Sequence, residues 1–336
     1  LELDPRFSLI SGPNASGKTS VLEALYVLGR GRSFRTPRLE YLIRQGTERF
    51  MVFGEAEGPN RRVPMGVEGG VQGVRARIAG APAGSLAELA VLLPVQIIDP
   101  EVHRLIEEGP NRRRRFLDWG TFHVKQSFVA DWQRFQQVLR QRNASLKARQ
   151  PRALVSAWDP ELVHYGELVS QARSDYLAML IAPAQEAARA LLGLEVQLVY
   201  RPGWAKDRSF AEALDQAWGL DLERGVTQVG PQRADLSVRL DGAAVKDRIS
   251  RGQQKLLAAA LLLAQLKLFP EAAVRPTLLL DDPAAELDRE HLAALIDLVA
   301  GQSLQLVVTT LHDELPGFGH PGRRFAVELG SVAACD

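Results

Sequence analysis

The run Gly12-Pro13-Asn14-Ala15-Ser16-Gly17-Lys18-Thr19 fits G-x-x-x-x-G-K-[ST] at every fixed position, and no other stretch restricts the fold as strongly. The pattern works only where a buried strand runs into the loop and a helix leaves it. Phe7-Ser8-Leu9-Ile10-Ser11 reads as that strand and residues 19–28 as the helix, ended by Gly29 and Gly31. In that setting the glycines let backbone N–H groups turn inward on phosphates, and the helix N-terminus adds a favourable partial charge. All eight residues are candidate phosphate ligands; Lys18 would reach the terminal phosphates and Thr19 would ligate Mg²⁺. A chance glycine-rich turn would not bring the correct flanks with it.

The chain's 336 residues allow a large core and more than one lobe. Its 41 Lys and Arg nearly balance 40 Asp and Glu, so any nucleic-acid contact must come from local basic patches rather than from overall charge. The single Cys335 argues against a disulfide framework or a cysteine zinc site and fits a reducing compartment, which makes a cytoplasmic location the expectation. The most apolar run, residues 256–269, is interrupted by Gln265 and Lys267 and is too short to span a bilayer. The chain starts at Leu1, without methionine and almost at the loop strand, so a further strand is expected upstream.

Residues 30–38 hold four arginines among glycine, serine and proline, and suit either a grip on a phosphate backbone or a solvated loop. Residues 50–78 break into short β-like pieces divided by Gly and Pro, most simply antiparallel hairpins. Residues 85–92 read as a short helix, and Pro94-Val95-Gln96-Ile97-Ile98 as a strand. The middle third is helical: Phe128, Trp132, Phe135 and Leu139 recur at helical spacing, with Arg134, Arg140 and Arg142 off that stripe, and Leu162, Tyr165, Val169, Ala172 and Tyr176 repeat it. Core packing explains these aromatics better than base stacking does. Two long helices should pack together, with Pro183 bending or ending the second. Residues 194–200 alternate as a half-buried strand, and residues 234–245 read as a hairpin with Asp241-Gly242 in a type I′ turn. Leu278-Leu279-Leu280 and residues 304–308 have the continuous apolar texture of buried parallel strands, with a helix over 290–299 between them.

Two further blocks belong with the loop. Leu278-Leu279-Leu280-Asp281-Asp282 is an apolar strand ending in two acids; Asp281 would hold Mg²⁺ opposite Thr19, and Asp282 would face the attacking water. Ser250-Arg251-Gly252-Gln253 opens the apolar helix. Helix capping accounts for Ser250 and Gln253 but not for Gly252, a poor helix former set where N–H groups could meet an outside anion.

Residues 12–19, Gly29-Arg30-Gly31-Arg32-Ser33-Phe34-Arg35, Arg114-Arg115-Phe116-Leu117-Asp118-Trp119, Gly230-Pro231-Gln232-Arg233-Ala234-Asp235-Leu236, Ser250-Arg251-Gly252-Gln253 and Asp281-Asp282 with Glu286-Leu287-Asp288 together resemble the bacterial RecF family of recombination ATPases over nearly the whole chain. The resemblance implies an α/β fold: an ABC-type P-loop ATPase head, with a mixed sheet and an antiparallel β subdomain, related to SMC heads and carrying an inserted helical arm. The implied division is 1–110 and 226–336 for the head and 111–225 for the arm. It implies an ATP- and Mg²⁺-dependent, DNA-binding homodimer with weak DNA-stimulated ATPase activity. It would act at gapped or stalled replication templates with RecO and RecR, assist loading of RecA, and need no membrane.

Carried over by residue, Lys18, Asp282 and Ser250 would be catalytic, and Thr19 and Asp281 would hold metal. The resemblance makes Gln96 a loose match for the Q-loop residue. It places Ser250, Gly252 and Gln253 against the γ-phosphate bound by the other subunit, with Asp288 at the same seam. Two departures from the general ABC pattern imply slow hydrolysis: Asp282 is one methylene shorter than the usual glutamate, and Thr310 stands at the switch-histidine position. DNA contact would fall to residues 30–38 and to Arg112, Arg113, Arg114 and Arg115, although Glu107 and Glu108 could equally pair with the second run. A transporter-type ATPase subunit and a small-molecule P-loop kinase are the competing readings. The first calls for a coupling domain and a membrane; the second has no use for Ser250-Arg251-Gly252-Gln253.

Overall fold

A computed structural model describes residues 1–58, 62–70, 73–270, 274–312 and 317–335. In chain order it contains β1 (Phe7–Ser11), α1 (Lys18–Arg30), β2 (Arg49–Glu57), β3 (Arg62–Gly70), β4 (Gly73–Ile78), β5 (Ala81–Pro82), α2 (Ala87–Leu92) and β6 (Val95–Ile98). There follow α3 (Arg104–Glu107), α4 (Pro110–Val124), α5 (Phe128–Lys147), α6 (Arg152–Ser156), α7 (Asp159–Leu192), β7 (Gln197–Arg201), α8 (Phe210–Gln216), α9 (Trp218–Arg224), β8 (Asp235–Leu240), β9 (Ala243–Ala244) and α10 (Arg251–Lys267). The chain closes with β10 (Thr277–Asp281), α11 (Pro283–Glu286), α12 (Arg289–Ala300), β11 (Gln305–Thr310), β12 (Arg323–Glu328) and β13 (Ser331–Cys335).

Two compact units result, one of residues 1–102 with 269–336 and one of residues 103–268. These boundaries differ from the expected 110 and 225. The reason is packing: α10 runs along α7, and β7 and β8 lie against α7 and α4, so segments expected with the C-terminal head group with the helices.

The first unit is built on a six-stranded sheet in the order β13-β12-β1-β11-β10-β6. All neighbours are parallel except β12 and β13, which makes the sheet mixed. A second sheet, β2-β3-β4-β5, is antiparallel throughout. Helix α1 serves both. Leu22 and Tyr26 pack with Ile10, Val95, Leu279 and Val307 of the mixed sheet, whereas Val27 and Leu28 pack with Met65, Val67 and Ala76 of the antiparallel one. The helix ends at Gly31, whose backbone is left-handed (φ 62°) and whose N–H donates to Val27 O at 2.8 Å. Gly29, expected as part of the stop, lies inside the helix: a Cβ there would sit 2.5 Å from Leu93 O, so this glycine permits a close approach.

In the second unit α5 and α7 pair antiparallel, as the pairings Arg142 with Asp159 and Trp132 with Arg173 require. Phe128, Phe135 and Leu139 meet Leu162, Val169 and Ala172, so the aromatic stripe is core. Helix α7 runs through Pro183 to Leu192 and stops at left-handed Gly193, so the proline does not end it. A helix-interior proline costs about 3 kcal/mol, and buried Leu180, Ala184, Ala187, Ala188 and Leu191 on both sides hold the helix together in spite of it. Arg142, expected off the apolar face with exposed Arg134 and Arg140, is buried. It donates to Asp159 (2.7 Å), Asp221 (2.7 Å) and Thr227 Oγ1 (2.9 Å). The strand expected at 194–200 runs from Gln197 to Arg201, where its pairing with β8 begins at Gln197 opposite Arg239; residues 194–196 connect it to the Gly193 cap without pairing. Asp241 (φ 49°) and Gly242 (φ 77°) form the expected left-handed pair between β8 and β9.

Candidate functional site

The loop from β1 to α1 lies against the β12–β13 hairpin. At Gly12 a Cβ would stand 2.4 Å from Val327 O, so no larger residue fits there without a shift. Gly330 N–H donates to Ser16 O at 2.8 Å and braces the loop from the same side. Ala15 is left-handed (φ 62°) and so is Gly17 (φ 113°), which curls the backbone before α1 begins.

A pocket of about 350 Å³ opens at this loop, lined by residues 14–20 together with Arg35, Pro100, Asp281, Asp282, Ala285 and Glu286. It joins positions more than 260 residues apart. Thr19 Oγ1 donates to the Asp281 carboxylate, 3.0 and 3.1 Å from its two oxygens, across the gap between α1 and the end of β10. Thr309 on β11, the strand between β1 and β10, donates to Asp281 Oδ1 at 2.7 Å and fixes that carboxylate. Lys18 is buried, and its ammonium donates to Gly12 O (2.7 Å) and Pro13 O (3.0 Å).

Asp282 follows Asp281 in a left-handed conformation (φ 47°, ψ 56°), uncommon for a residue with a Cβ. Its N–H donates to Thr309 Oγ1 at 3.0 Å, which turns its carboxyl into the pocket. Burial pushes the Asp282 carboxyl above the ordinary aspartate range and the charges of Asp281 and Glu286 add to the rise, while Lys18 and His312 oppose it. A histidine therefore stands within electrostatic reach of Asp282. It comes two residues after Thr310, whose hydroxyl accepts from His312 N–H at 3.3 Å.

The donor set fits a nucleoside triphosphate with Mg²⁺. The Ser16 hydroxyl is buried in the loop without a hydrogen-bond partner, and Mg²⁺ characteristically takes one or two protein oxygens and completes its shell from phosphate and water. Thr19 and Asp281 supply two such oxygens. Among the described residues no three His, Cys, Asp or Glu converge as a self-sufficient metal cage.

The other expected site residues are placed as follows. Gln96 is buried in β6, in register with Leu278, and Pro100 beyond that strand is the nearby residue that lines the pocket. Asp288 caps α12, accepting from His291 N–H at 3.0 Å and pairing with its ring Nδ1 at 2.7 Å. Ser250, Gly252 and Gln253 stand on the second unit, where Ser250 and Gln253 form a reciprocal capping box and the Gly252 position is open, with only Ser250 Oγ near a would-be Cβ.

Arg35 was legible as one arginine of a basic loop and of the block 29–35, without a role in the nucleotide site; the fold puts it in the pocket through Glu23, which accepts from Arg35 (3.3 Å) and from the Ser33 hydroxyl. The second basic run is largely spent on structure. Arg112 pairs with Glu108, Arg113 binds Asp235 through two nitrogens (2.8 and 3.1 Å), and Arg114 bonds Ala234 O and Asn111.

Fold and site together define an ABC-type P-loop ATPase. For the fold alone, the head of an Smc protein solved with a winged-helix domain of ScpA superposes with a TM-score of 0.58 at 16% identity, covering all of this chain and 91% of that one. The chain belongs to the RecF family: the model for the RecF/RecN/SMC N terminal domain matches residues 1–317. The DNA replication and repair protein RecF of Hydrogenovibrio crunogenus is 38% identical over 92% of this chain and 86% of its own length. RecF of Shigella flexneri serotype 5b is 37% identical over 99% and 94%. The solved structure of the recombination mediator protein RecF with ATP, in the RecFOR pathway, matches with a TM-score of 0.88 at 26% identity, covering 100% of this chain and 93% of that one.

Proposed function

We propose that this chain is an ATP-switched DNA clamp of recombinational repair, a homodimer that closes on ATP and Mg²⁺ and opens on slow hydrolysis. The observation that carries the reading is Thr19 and Asp281 meeting beside buried Lys18 in the loop pocket. Lys18 exchanges two backbone carbonyls for phosphate oxygens, Thr19 and Asp281 hold the metal, and Asp282 accepts a proton from the attacking water. Bound Mg²⁺ supplies charge neutralisation at the terminal phosphates. The raised Asp282 carboxyl suits a proton acceptor.

Closure requires a second copy. Its Ser250, Gly252 and Gln253 approach the terminal phosphate with the open helix start at Gly252, and Asp288 lies at the same seam. The working head on this reading comprises residues 1–110 and 226–336, with residues 111–225 as its arm. The clamp binds duplex DNA and single-strand/duplex junctions through backbone phosphates, without reading sequence. It meets RecR, with RecO, at gapped or stalled templates, assists loading of RecA, and works in the cytoplasm. Relatives named DNA replication and repair proteins support this assignment, as does the pathway named for the ATP-bound RecF structure.

Light scattering with and without ATP and DNA tests it. The parent chain doubles in mass with ATP; Lys18→Met loses nucleotide binding by about ten- to a hundredfold, from the loss of a charged hydrogen-bond donor. Ser250→Arg binds nucleotide normally and stays monomeric. A parent chain that binds ATP yet remains monomeric at every working concentration, with or without DNA, ends the clamp reading.

A further inference from the structure

The antiparallel sheet of the first unit has a second face that the nucleotide site does not use. Along β2, Phe50 and Val52 turn inward onto the cluster formed by Met65, Val67 and Leu28, so the alternate positions turn outward. Those positions carry Met51 and Phe53, which are 76% and 68% exposed. The register sets two cross-strand rows. Phe53 lies opposite Gly66, which lies opposite Arg77; Met51 lies opposite Glu68, which lies opposite Arg75. Arg75 and Arg77 are both exposed. Gly66 contributes no side chain between Phe53 and Arg77, and a Cβ there would come within 3.8 Å of the Phe53 ring. The ring therefore borders a flat, open strip with guanidinium groups at its far side.

We infer that this face is a platform for single-stranded nucleic acid, with a base stacked on Phe53, Met51 beside it, and backbone phosphates on Arg75 and Arg77. Exposed aromatics on an open sheet face hold unstacked bases because every base has a π-face, and neighbouring arginines follow the sugar–phosphate chain. Two large apolar side chains left in water on one strand are otherwise a liability. Charge favours a polyanion at this end of the face. Of the carboxylates there, Glu68 is held by Arg49 at 2.7 Å and lies within electrostatic reach of Arg75 and Arg77, so one carboxylate faces three arginines; Glu55 follows Phe53 on the same face, and Glu57 lies beyond it near Arg62. A duplex offers phosphates but no free base faces, so it would leave Phe53 unused. A protein partner would use Phe53 and Met51 as well, and the Phe53 substitutions below separate it from a nucleic acid.

The inference rests on the DNA-binding reading above and can fail separately from it. The experiment uses the full chain with ATP and two labelled probes, an oligothymidylate and a duplex of equal length. Phe53→Ala should weaken single-strand binding about tenfold and duplex binding less than about twofold, the difference being one stacked base. Phe53→Trp should retain binding, and its fluorescence should be quenched by the single strand and not by the duplex. Replacing Arg77 by Ala should lower the salt slope for the single strand by about 0.7, one phosphate's worth. The exposure of Phe53 makes unfolding of these variants unexpected, and the Trp variant reads contact without removing the ring. Normal duplex binding by the parent with no single-strand binding, or Phe53→Ala binding the single strand like the parent with no quenching in Phe53→Trp, overturns the platform and leaves the clamp standing. The second outcome is also the one a protein-docking role for Phe53 and Met51 would give. Loss of all DNA binding by the parent overturns both.

Discussion

Arg142 and Arg173 in the second unit are as inaccessible as Lys18 in the first, yet they are satisfied in opposite ways. Arg142 is held by Asp159, Asp221 and Thr227, and Arg173 by Asp118 (2.7 and 3.1 Å) and Pro231 O (2.8 Å), with Trp132 stacked on its face. Each meets at least one carboxylate. Among the described residues the Lys18 ammonium donates to two carbonyls of its own loop and to no carboxylate, while Asp281 and Asp282, the latter within its electrostatic reach, face the same open pocket. A buried cation whose countercharge is supplied by the fold is locked and contributes to a unique packing. One whose neighbours are weaker carbonyls is poised to receive an anion from outside.

The comparison breaks most sharply at Arg142. Arg142→Ala leaves Asp221 buried without its partner and should cost about 3–5 kcal/mol of stability, measured by denaturant unfolding of the full chain, with nucleotide binding by the folded fraction unchanged. An unaltered midpoint would mean the network is not locked. Asp281→Asn should do the reverse: little change in unfolding, and loss of the Mg²⁺ dependence of ATP binding, with metal affinity down by at least about tenfold. Isothermal titration with and without Mg²⁺ separates the two arms.

Arg35 lies between these extremes. It is tied to Glu23 but half-exposed at the pocket, so Arg35→Ala should weaken ATP binding only about two- to tenfold, since solvent screens an exposed charge. The smallest effect concerns Asp288. The N–H and ring of His291 hold its carboxyl below the ordinary aspartate value of about 3.9. Its contribution to α12 is therefore present above that value and lost as pH falls through the lower folded one. Hydrogen exchange in the first turn of α12 should quicken only in that acid window, and Asp288→Asn, still a cap, should flatten the response.

Much of the first unit was readable in advance. The loop, its strand, the acidic strand end at Asp281, and the hairpins of 50–78 follow from local spacing, because period and turn chemistry are local properties. Gly29 as a helix stop and Pro183 as a helix end were misread for one reason. A glycine or proline states what the backbone tolerates, whereas the neighbours decide whether the tolerance is used, and here Leu93 O at the one and the packed Leu and Ala of α7 at the other decided. Arg35 and His312 were missed as site residues, although a basic loop holds the one and Thr310 stands two positions before the other, because packing decides which member of such a stretch reaches the pocket.

The amino-acid order by itself determined that a phosphate loop would follow a buried strand, that a carboxylate would end another, and that an aromatic stripe would seek a core, since each depends on neighbours within a turn or two. Which arginines are spent inside and which face a ligand was decided only by folding. That choice depends on which carboxylate arrives from a distant segment, such as Asp221 reaching Arg142 across 79 positions or Asp281 reaching Thr19 across 262, and the electrostatic energy of a pair is set by distance in space and by exclusion of water.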